Sequence, residues 1–211
     1  MRPKGTKKNG MKYLTEDALK NFSRVVKKEG SLRDYLLFSL CLRLGLRVQE
    51  LVNIKLEYIN MDSKQLIVHG LKNGRTRSYD LFDENGYRPD RENELWRKLM
   101  QWIKKGRRKI DPKGLNPFLF PSKLHPDKSI TVDVAKAGFK RYAAQAGIPT
   151  DFSIHSLRHT CAITLAKKNW SALRIMGWLR HRSIQSTQIY FEQLQAKQDD
   201  AEAGQTFSQY L

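Results

Sequence analysis

Three short segments, far apart along the chain, each present polar groups suited to gripping a phosphate, where a stable core would prefer none. The first is Leu46-Arg47-Val48-Gln49-Glu50-Leu51. Its guanidinium and carboxylate stand three residues apart on one helical face, so Glu50 can hold Arg47 or a neighbouring imidazole in place. Such a pair is also common on solvated helices. The second is His155-Ser156-Leu157-Arg158-His159, running on as Thr160-Cys161-Ala162-Ile163-Thr164-Leu165. His155 and Arg158 can face one ligand while Leu157, Ala162 and Leu165 bury the other side, giving one group that exchanges a proton beside one that fixes an anion. A zinc site on His155 and His159 is disfavoured, because the Glu of a metalloprotease helix is missing and no third ligand is evident. The third is Leu179-Arg180-His181-Arg182-Ser183 followed by Thr187-Gln188-Ile189-Tyr190. A tyrosine at a helix end is ordinarily a packing residue with its hydroxyl in water, the reading given to Tyr142 and Tyr210. The polar neighbours of Tyr190 set it apart.

These groups act together only if the fold gathers them. Thr15, followed by Glu16 and Asp17, starts a helix that runs to about Lys28 and stops at Gly30. Ser31 caps a second helix, apolar almost all round from Tyr35 to Leu42 and therefore buried, with Gly45 at its C-terminal cap. A short helix from about Val48 places Arg47 at a helix entrance, beside free backbone N–H groups that favour anions. Strands are expected at Gln65–His69 and Thr76–Leu81 around Lys72-Asn73-Gly74-Arg75, since Asn-Gly is a strong hairpin signal. A helix from about Glu92 to Arg108 ends in a basic run, Lys104, Lys105, Arg107, Arg108 and Lys109, read either as a solvated face or as a contact to the DNA backbone. Further helices are expected at 131–146, 156–168, 171–179 and 183–190, with one more at 195–210. The fold class is mainly α with one small antiparallel β-sheet (α+β).

The chain of 211 residues is long enough for one full domain, and 40% hydrophobic with 28% charged residues is an ordinary globular composition. Lys and Arg number 39 against 21 Asp and Glu, a formal charge of +18. Such a field attracts polyanions and gains affinity by releasing their counterions, so nucleic acid is the first partner to consider. No apolar run approaches the roughly 20 residues that span a bilayer. The N-terminus is basic with no apolar segment after it, so a secretory signal is not expected and the protein reads as cytoplasmic. Cys41 and Cys161 fall in apolar helical patterns as free, buried thiols, and there is no CxxC pair. Residues 1–12 read as a basic arm, 13–192 as the main domain and 193–211 as an acidic tail.

The three segments, in order and with the hairpin between them, resemble the tyrosine recombinase (phage integrase) family. The matching residues are Gly45-Leu46-Arg47 with Glu50-Leu51, Lys72 in the hairpin, His155 with Arg158-His159, then His181 and Tyr190, over residues 13 to about 192. Two positions depart from the pattern. Arg180 stands where the family usually has Gly, and Trp170 where Gly commonly ends the preceding helix, a turn that Asn169 can supply instead.

The resemblance implies a site-specific recombinase or integrase acting on double-stranded DNA as a homo-tetramer over two sites, and a monomer without DNA, through a 3′-phosphotyrosine on Tyr190. It implies that Arg47, Arg158 and His181 grip the phosphate, that Lys72 protonates the leaving 5′ oxygen and that His155 assists as base. Glu50 and His159 support them, without metal or cofactor. Lys104, Lys105, Arg107, Arg108, Arg75 and Arg77 are candidate DNA contacts, and the tail is a candidate intersubunit helix. Most members carry a helical domain ahead of this one. Met1 and the basic arm point to a short recombinase similar to the single-domain fimbrial invertases, the C-terminal part of a longer integrase being the other reading. A type IB topoisomerase, a non-catalytic DNA-binding regulator and a metal-dependent nuclease are the alternatives.

Overall fold

The computed structural model describes residues 11–71, 74–81 and 94–208, with the side chains at 197, 198, 200, 201 and 203–208 left aside. Most of the basic arm, the hairpin tip with Lys72, and residues 82–93 lie outside that description. Helix α1 (Glu16–Glu29) begins where the Thr15 hydroxyl accepts the Ala18 N–H, with Glu16 and Asp17 in its first turn and Lys27 and Lys28 in its last. Both charge patterns complement the helix dipole. Helix α2 (Leu32–Leu44), capped by Ser31, buries Leu36, Leu37, Phe38, Leu40, Cys41 and Leu44 and runs through the middle of the domain. Around it the rings of Phe22, Phe38, Phe139 and Tyr142 pack edge-on or tilted.

Gly45 ends α2 in the left-handed conformation at φ 57°, and Leu46 N–H turns back to the Cys41 carbonyl. Helix α3 (Val48–Val52) starts two residues later with Arg47 as its N-cap. This abrupt reversal delivers Arg47 to the site. A Cβ at Gly45 would stand 2.2 Å from Leu179 Cδ2, so the position is closed by packing as well as by backbone geometry.

A three-stranded antiparallel sheet follows, β1 (Ile59–Asn60), β2 (Gln65–Val68) and β3 (Arg77–Asp80), paired in that order. Ile59, Leu66 and Tyr79 line up across it on the buried face. The sequence pattern locates β2 and β3 but not the two-residue β1.

The helix expected to reach Arg108 is regular only as α4 (Glu94–Gln101). It then widens into a π-turn at Trp102–Gly106 and tightens into a 3-10 turn at Arg107–Lys109. Trp102 lies against Gly106, where a Cβ would meet its ring at 2.4 Å, and donates its indole N–H to the Leu119 carbonyl. The irregular turns swing Arg107 inward. Its donors go to the carbonyls of Phe118 and Asn116 and to Asp111, and it is buried. Arg107 therefore does not belong to the exposed basic run, where Lys104, Lys105, Arg108 and Lys109 remain.

Helices α5 (Val132–Gln145), α6 (His155–Lys167) and α7 (Ala172–Leu179) fall where expected. Asn169, at φ 60°, makes the left-handed turn after α6. The two helices expected at 183–190 and 195–210 form one, α8 (Gln185–Ser208). Nothing in Phe191-Glu192-Gln193-Leu194 breaks a helix. A second, smaller core of Cys161, Ala162, Ile163, Ala166, Ile175, Leu179 and Tyr190 joins α6, α7 and α8, with Tyr13, Phe191 and Leu194 packed on it. Among the described residues no helix is long and apolar enough to cross a membrane.

Because Gly45 is both left-handed and tightly packed, Gly45→Ala should destabilise the fold by about 1–3 kcal/mol. Urea unfolding checks this, and an unshifted midpoint would show that the reversal tolerates a side chain.

Candidate active site

The carboxylate of Glu50, fully buried, is the centre of the site. One oxygen accepts from Arg47 Nη1 at 3.0 Å. The other accepts the Arg47 backbone N–H at 2.8 Å and Arg180 Nη2 at 2.7 Å. Arg158 Nη1 stands 3.9 Å from that second oxygen. Burial alone would raise the Glu50 carboxyl, but the charge and hydrogen bond of Arg180, the Arg47 N–H and the charge of Arg158 outweigh it and hold the group below its ordinary value.

Arg158 is buried on α6 and spends its guanidinium on two backbone carbonyls, that of Gly45 and, at 2.7 Å, that of Leu179. Those carbonyls close α2 and α7. A cation bridging two helix C-termini satisfies acceptors that the helices leave open and sits at the favourable end of both dipoles. Arg47 is the accessible guanidinium, its side chain 39% exposed.

Tyr190, the sixth residue of α8, is buried, and its hydroxyl lies 3.3 Å from His159 Nδ1. Its ring stacks nearly parallel to that of His181, with centroids 6.2 Å apart and planes 7° apart. Burial raises the phenol above its ordinary pKa, and the charges of Arg158 and Arg47 oppose that rise. The phenol therefore keeps its proton at neutral pH while lying in the field of both guanidiniums. Burial, then Arg158 and Arg47, push His181 down to about 3, and burial, then His155 and Arg158, push His159 down to about 4. His155, at the exposed first turn of α6, is lowered by desolvation and then by Arg158, Lys136 and Arg47.

The left-handed turn after α7 aims His181. Arg180, at φ 57°, bonds back to the Gly177 carbonyl and His181 N–H to that of Met176. The imidazole is then held by Thr187 Oγ1, 2.8 Å from its Nδ1. Thus Arg47, Glu50, His155, Arg158, His159, His181 and Tyr190, chosen from sequence, converge from α3, α6, α7 and α8. Lys72 lies outside the described residues. Of the candidate DNA contacts, Arg75 is exposed, while Arg77 is half-buried with its guanidinium over Trp178 and Tyr79, 5.0 and 5.4 Å from the ring centroids. Among the described residues no cluster of three or more His, Cys, Asp or Glu could hold a metal.

Sequence reasoning missed two partners. Thr187 is an unremarkable threonine in a polar stretch. Arg180 carried a readable signal, a non-glycine at a helix end that wants glycine, which implies an offsetting interaction.

The pattern of the phage integrase family matches residues 12–197. The tyrosine recombinase XerA of Pyrococcus furiosus is 30% identical over 180 residues, 85% of this chain and 56% of that protein. The crystal structure of XerA recombinase superposes with a TM-score of 0.69 at 23% identity, over 90% of this chain and 61% of that one. XerH site-specific recombinase bound to palindromic difH substrate, a post-cleavage complex, gives 0.74 at 18% identity, over 92% and 53%. The chain thus spans about half the length of the curated relatives it matches.

The buried imidazoles make a prediction about acid stability. Histidine in the unfolded chain titrates near 6.5, whereas His159 and His181 resist protonation until about 4 and about 3. The unfolded state therefore binds protons first, and stability present above roughly pH 6.5 is lost as pH falls toward those values. The urea midpoint should decline from pH 7 to pH 4, and less steeply in His181→Gln. A midpoint flat across that range would mean that the imidazoles take up protons in the fold as readily as in the unfolded chain.

Proposed function

The chain belongs to the phage integrase family, and from that membership we propose that it is a site-specific recombinase that cleaves and rejoins double-stranded DNA through Tyr190. One observation supports this above the rest: a tyrosine from α8 sets its hydroxyl 3.3 Å from His159 and its ring parallel to that of His181, within the field of two guanidiniums from α3 and α6. A phosphodiester drawn to Arg47 and Arg158 would present phosphorus to that phenol.

In the proposed reaction the Tyr190 oxygen attacks the scissile phosphorus as its P–O5′ bond breaks, giving a 3′-phosphotyrosine and a free 5′ hydroxyl. The phosphotyrosine conserves the ester for rejoining, so no external energy source is required. Arg47 and Arg158 stabilise charge on the non-bridging oxygens, being permanently cationic and able to bond bidentately. His181, oriented by Thr187, adds a donor from its other ring nitrogen. His155 takes up the phenolic proton, its lowered pKa leaving it neutral and able to accept. His159 holds the hydroxyl at rest. Lys72 supplies the proton to the departing 5′ oxygen. The two guanidiniums carry the charge stabilisation that a metal would otherwise supply, so the proposal includes no metal.

The net charge of +18 supports a DNA partner. Lys104, Lys105 and Arg108, with Arg75 and Arg77 near the hairpin, are the proposed backbone contacts. We further propose a tetramer on two sites, in which residues 195–211 dock on a neighbouring protomer while Phe191 and Leu194 stay in their own core. The protein would work in the cytoplasm, on nucleoid DNA.

Covalent capture tests the reading. Nicked duplexes drawn from a randomised pool should become covalently attached to the chain with EDTA present, and Tyr190→Phe should capture none. Arg47→Lys and Arg158→Lys should each slow capture by about 10²–10³-fold. Capture that survives loss of the phenol, or that EDTA abolishes, would overturn the assignment. Relaxation of a supercoiled plasmid without strand exchange would point to a topoisomerase. Deleting 195–211 should abolish exchange between two captured sites while leaving single-site cleavage, and unchanged exchange would refute the docking role.

A further inference from the structure

Arg180 occupies a position where a side chain is a liability. Its left-handed backbone, φ 57°, is disfavoured for any residue with a Cβ. Its guanidinium is fully buried, and among the described residues Nε finds no hydrogen-bond partner. Glycine would avoid both costs. What the arginine gains is specific: Nη2 meets Glu50 at 2.7 Å, and Nη1 meets the Tyr79 hydroxyl and, at 3.2 Å, the Trp178 carbonyl. The guanidinium also lies 5.3 Å from the centroid of the Tyr79 ring. The Tyr79 hydroxyl in turn donates to the Trp178 carbonyl.

We propose that Arg180 is a positioning residue that saturates the buried Glu50 carboxylate and ties the β2–β3 hairpin to it, so that Arg47 can turn to a phosphate while Arg158 keeps its place on the Gly45 and Leu179 carbonyls. The inference rests on the recombinase reading above. Its logic is a competition for one carboxylate. Glu50 carries a single negative charge among three guanidiniums, so the cluster holds two net positive charges. Without Arg180 it would hold one. The freed lone pairs on the second Glu50 oxygen would also draw Arg158 Nη1, now 3.9 Å away, off the carbonyls that hold it.

When Arg47 turns toward a ligand and loosens its own bond to Glu50, Arg180 keeps the carboxylate compensated, and no buried anion is stranded. The second half of the role is mechanical. Tyr79 belongs to β3, the strand that follows the loop bearing Lys72, and Arg180 bonds it and Glu50 with the same planar group. A hairpin placed this way keeps a fixed register with the phosphate-binding guanidiniums.

The test uses the full chain and a nicked duplex selected by covalent capture with the wild type. Three variants, Arg180→Met, Arg180→Gly and Arg180→Lys, are compared for capture rate at saturating DNA, for duplex Kd and for thermal midpoint. R180M and R180G should capture about 10–100-fold more slowly, with Kd changed less than about threefold. R180K, which returns a cation to Glu50, should recover most of the lost rate. Wild-type rates in R180M or R180G would overturn the proposal, as would losses that follow the thermal midpoint across all three variants without recovery in R180K. Should R180M and R180G fail to fold, R180K and Tyr79→Phe decide. Y79F removes only the hydroxyl that Arg180 and Trp178 share, and a rate unchanged in it together with a dead R180K would likewise overturn the proposal. Failure of the wild type to form any covalent complex would instead overturn the recombinase reading itself.

Discussion

The structure depends on how a buried carboxylate is compensated. Glu50 is held by Arg47 and Arg180, with Arg158 just beyond hydrogen-bond reach, and these residues come from three separate stretches of chain. An isolated carboxylate in that position would be neutralised by protonation, and isolated guanidiniums packed this closely would repel one another. Together they are stable only as a set. The backbone around them reflects that requirement: the N-cap of α3, the C-terminus of α2 and the turn after α7 all meet at the cluster, and the carbonyls that end α2 and α7 are the ones Arg158 bridges. Three helix ends supply dipoles and open hydrogen-bonding groups where the charges need them.

A second consequence concerns Tyr190. It is placed not by the charged cluster but by packing, in the small core shared by α6, α7 and α8. His181 stacks on one side and His159 meets the hydroxyl, and both rings are kept neutral by burial and by the nearby arginines. Permanent charge and neutral hydrogen-bonding groups are thereby divided between different residues. The arginines set the field, and the neutral imidazoles hold and stack against the phenol within it.

Where the sequence pattern was informative, the structure follows it closely, and for local reasons. Thr15, Ser31 and Gly45 set helix ends through capping groups and one left-handed turn, so α1, α2 and the entrance of α3 were legible residue by residue. The spacing within His155-Ser156-Leu157-Arg158-His159 sufficed to place two imidazoles and a guanidinium on one helix. What escaped was set by tertiary contacts. Arg107 looked like its basic neighbours until the carbonyls of Asn116 and Phe118 and the carboxylate of Asp111 drew it inward across a π-turn. The helices expected at 183–190 and 195–210 are continuous in α8, because helices end at capping or breaking residues and none stands between them. Strand β1, two residues long, exists only because β2 gives it a partner.

The division between fixed and titrating groups also bears on why the cluster tolerates an excess of positive charge. In the free protein the surplus is offset by Glu50 and by the helix C-termini that Arg158 bridges, against the cost of burying Arg158 and Arg180, while among the three Arg47 reaches solvent appreciably. Repulsion among the guanidiniums is thus offset by partners that do not leave. An incoming phosphate would meet Arg158 and Arg180 already fixed in place, so that reorganisation would fall mainly on Arg47. Burial, and after it the charges of Arg158 and Arg47, keep His155 and His181 neutral, and an anion bound there would offset the second contribution. On the recombinase reading proposed above, an excess of fixed positive charge would therefore do two things at once: attract a phosphate, and ease proton uptake by the imidazoles once the site is occupied.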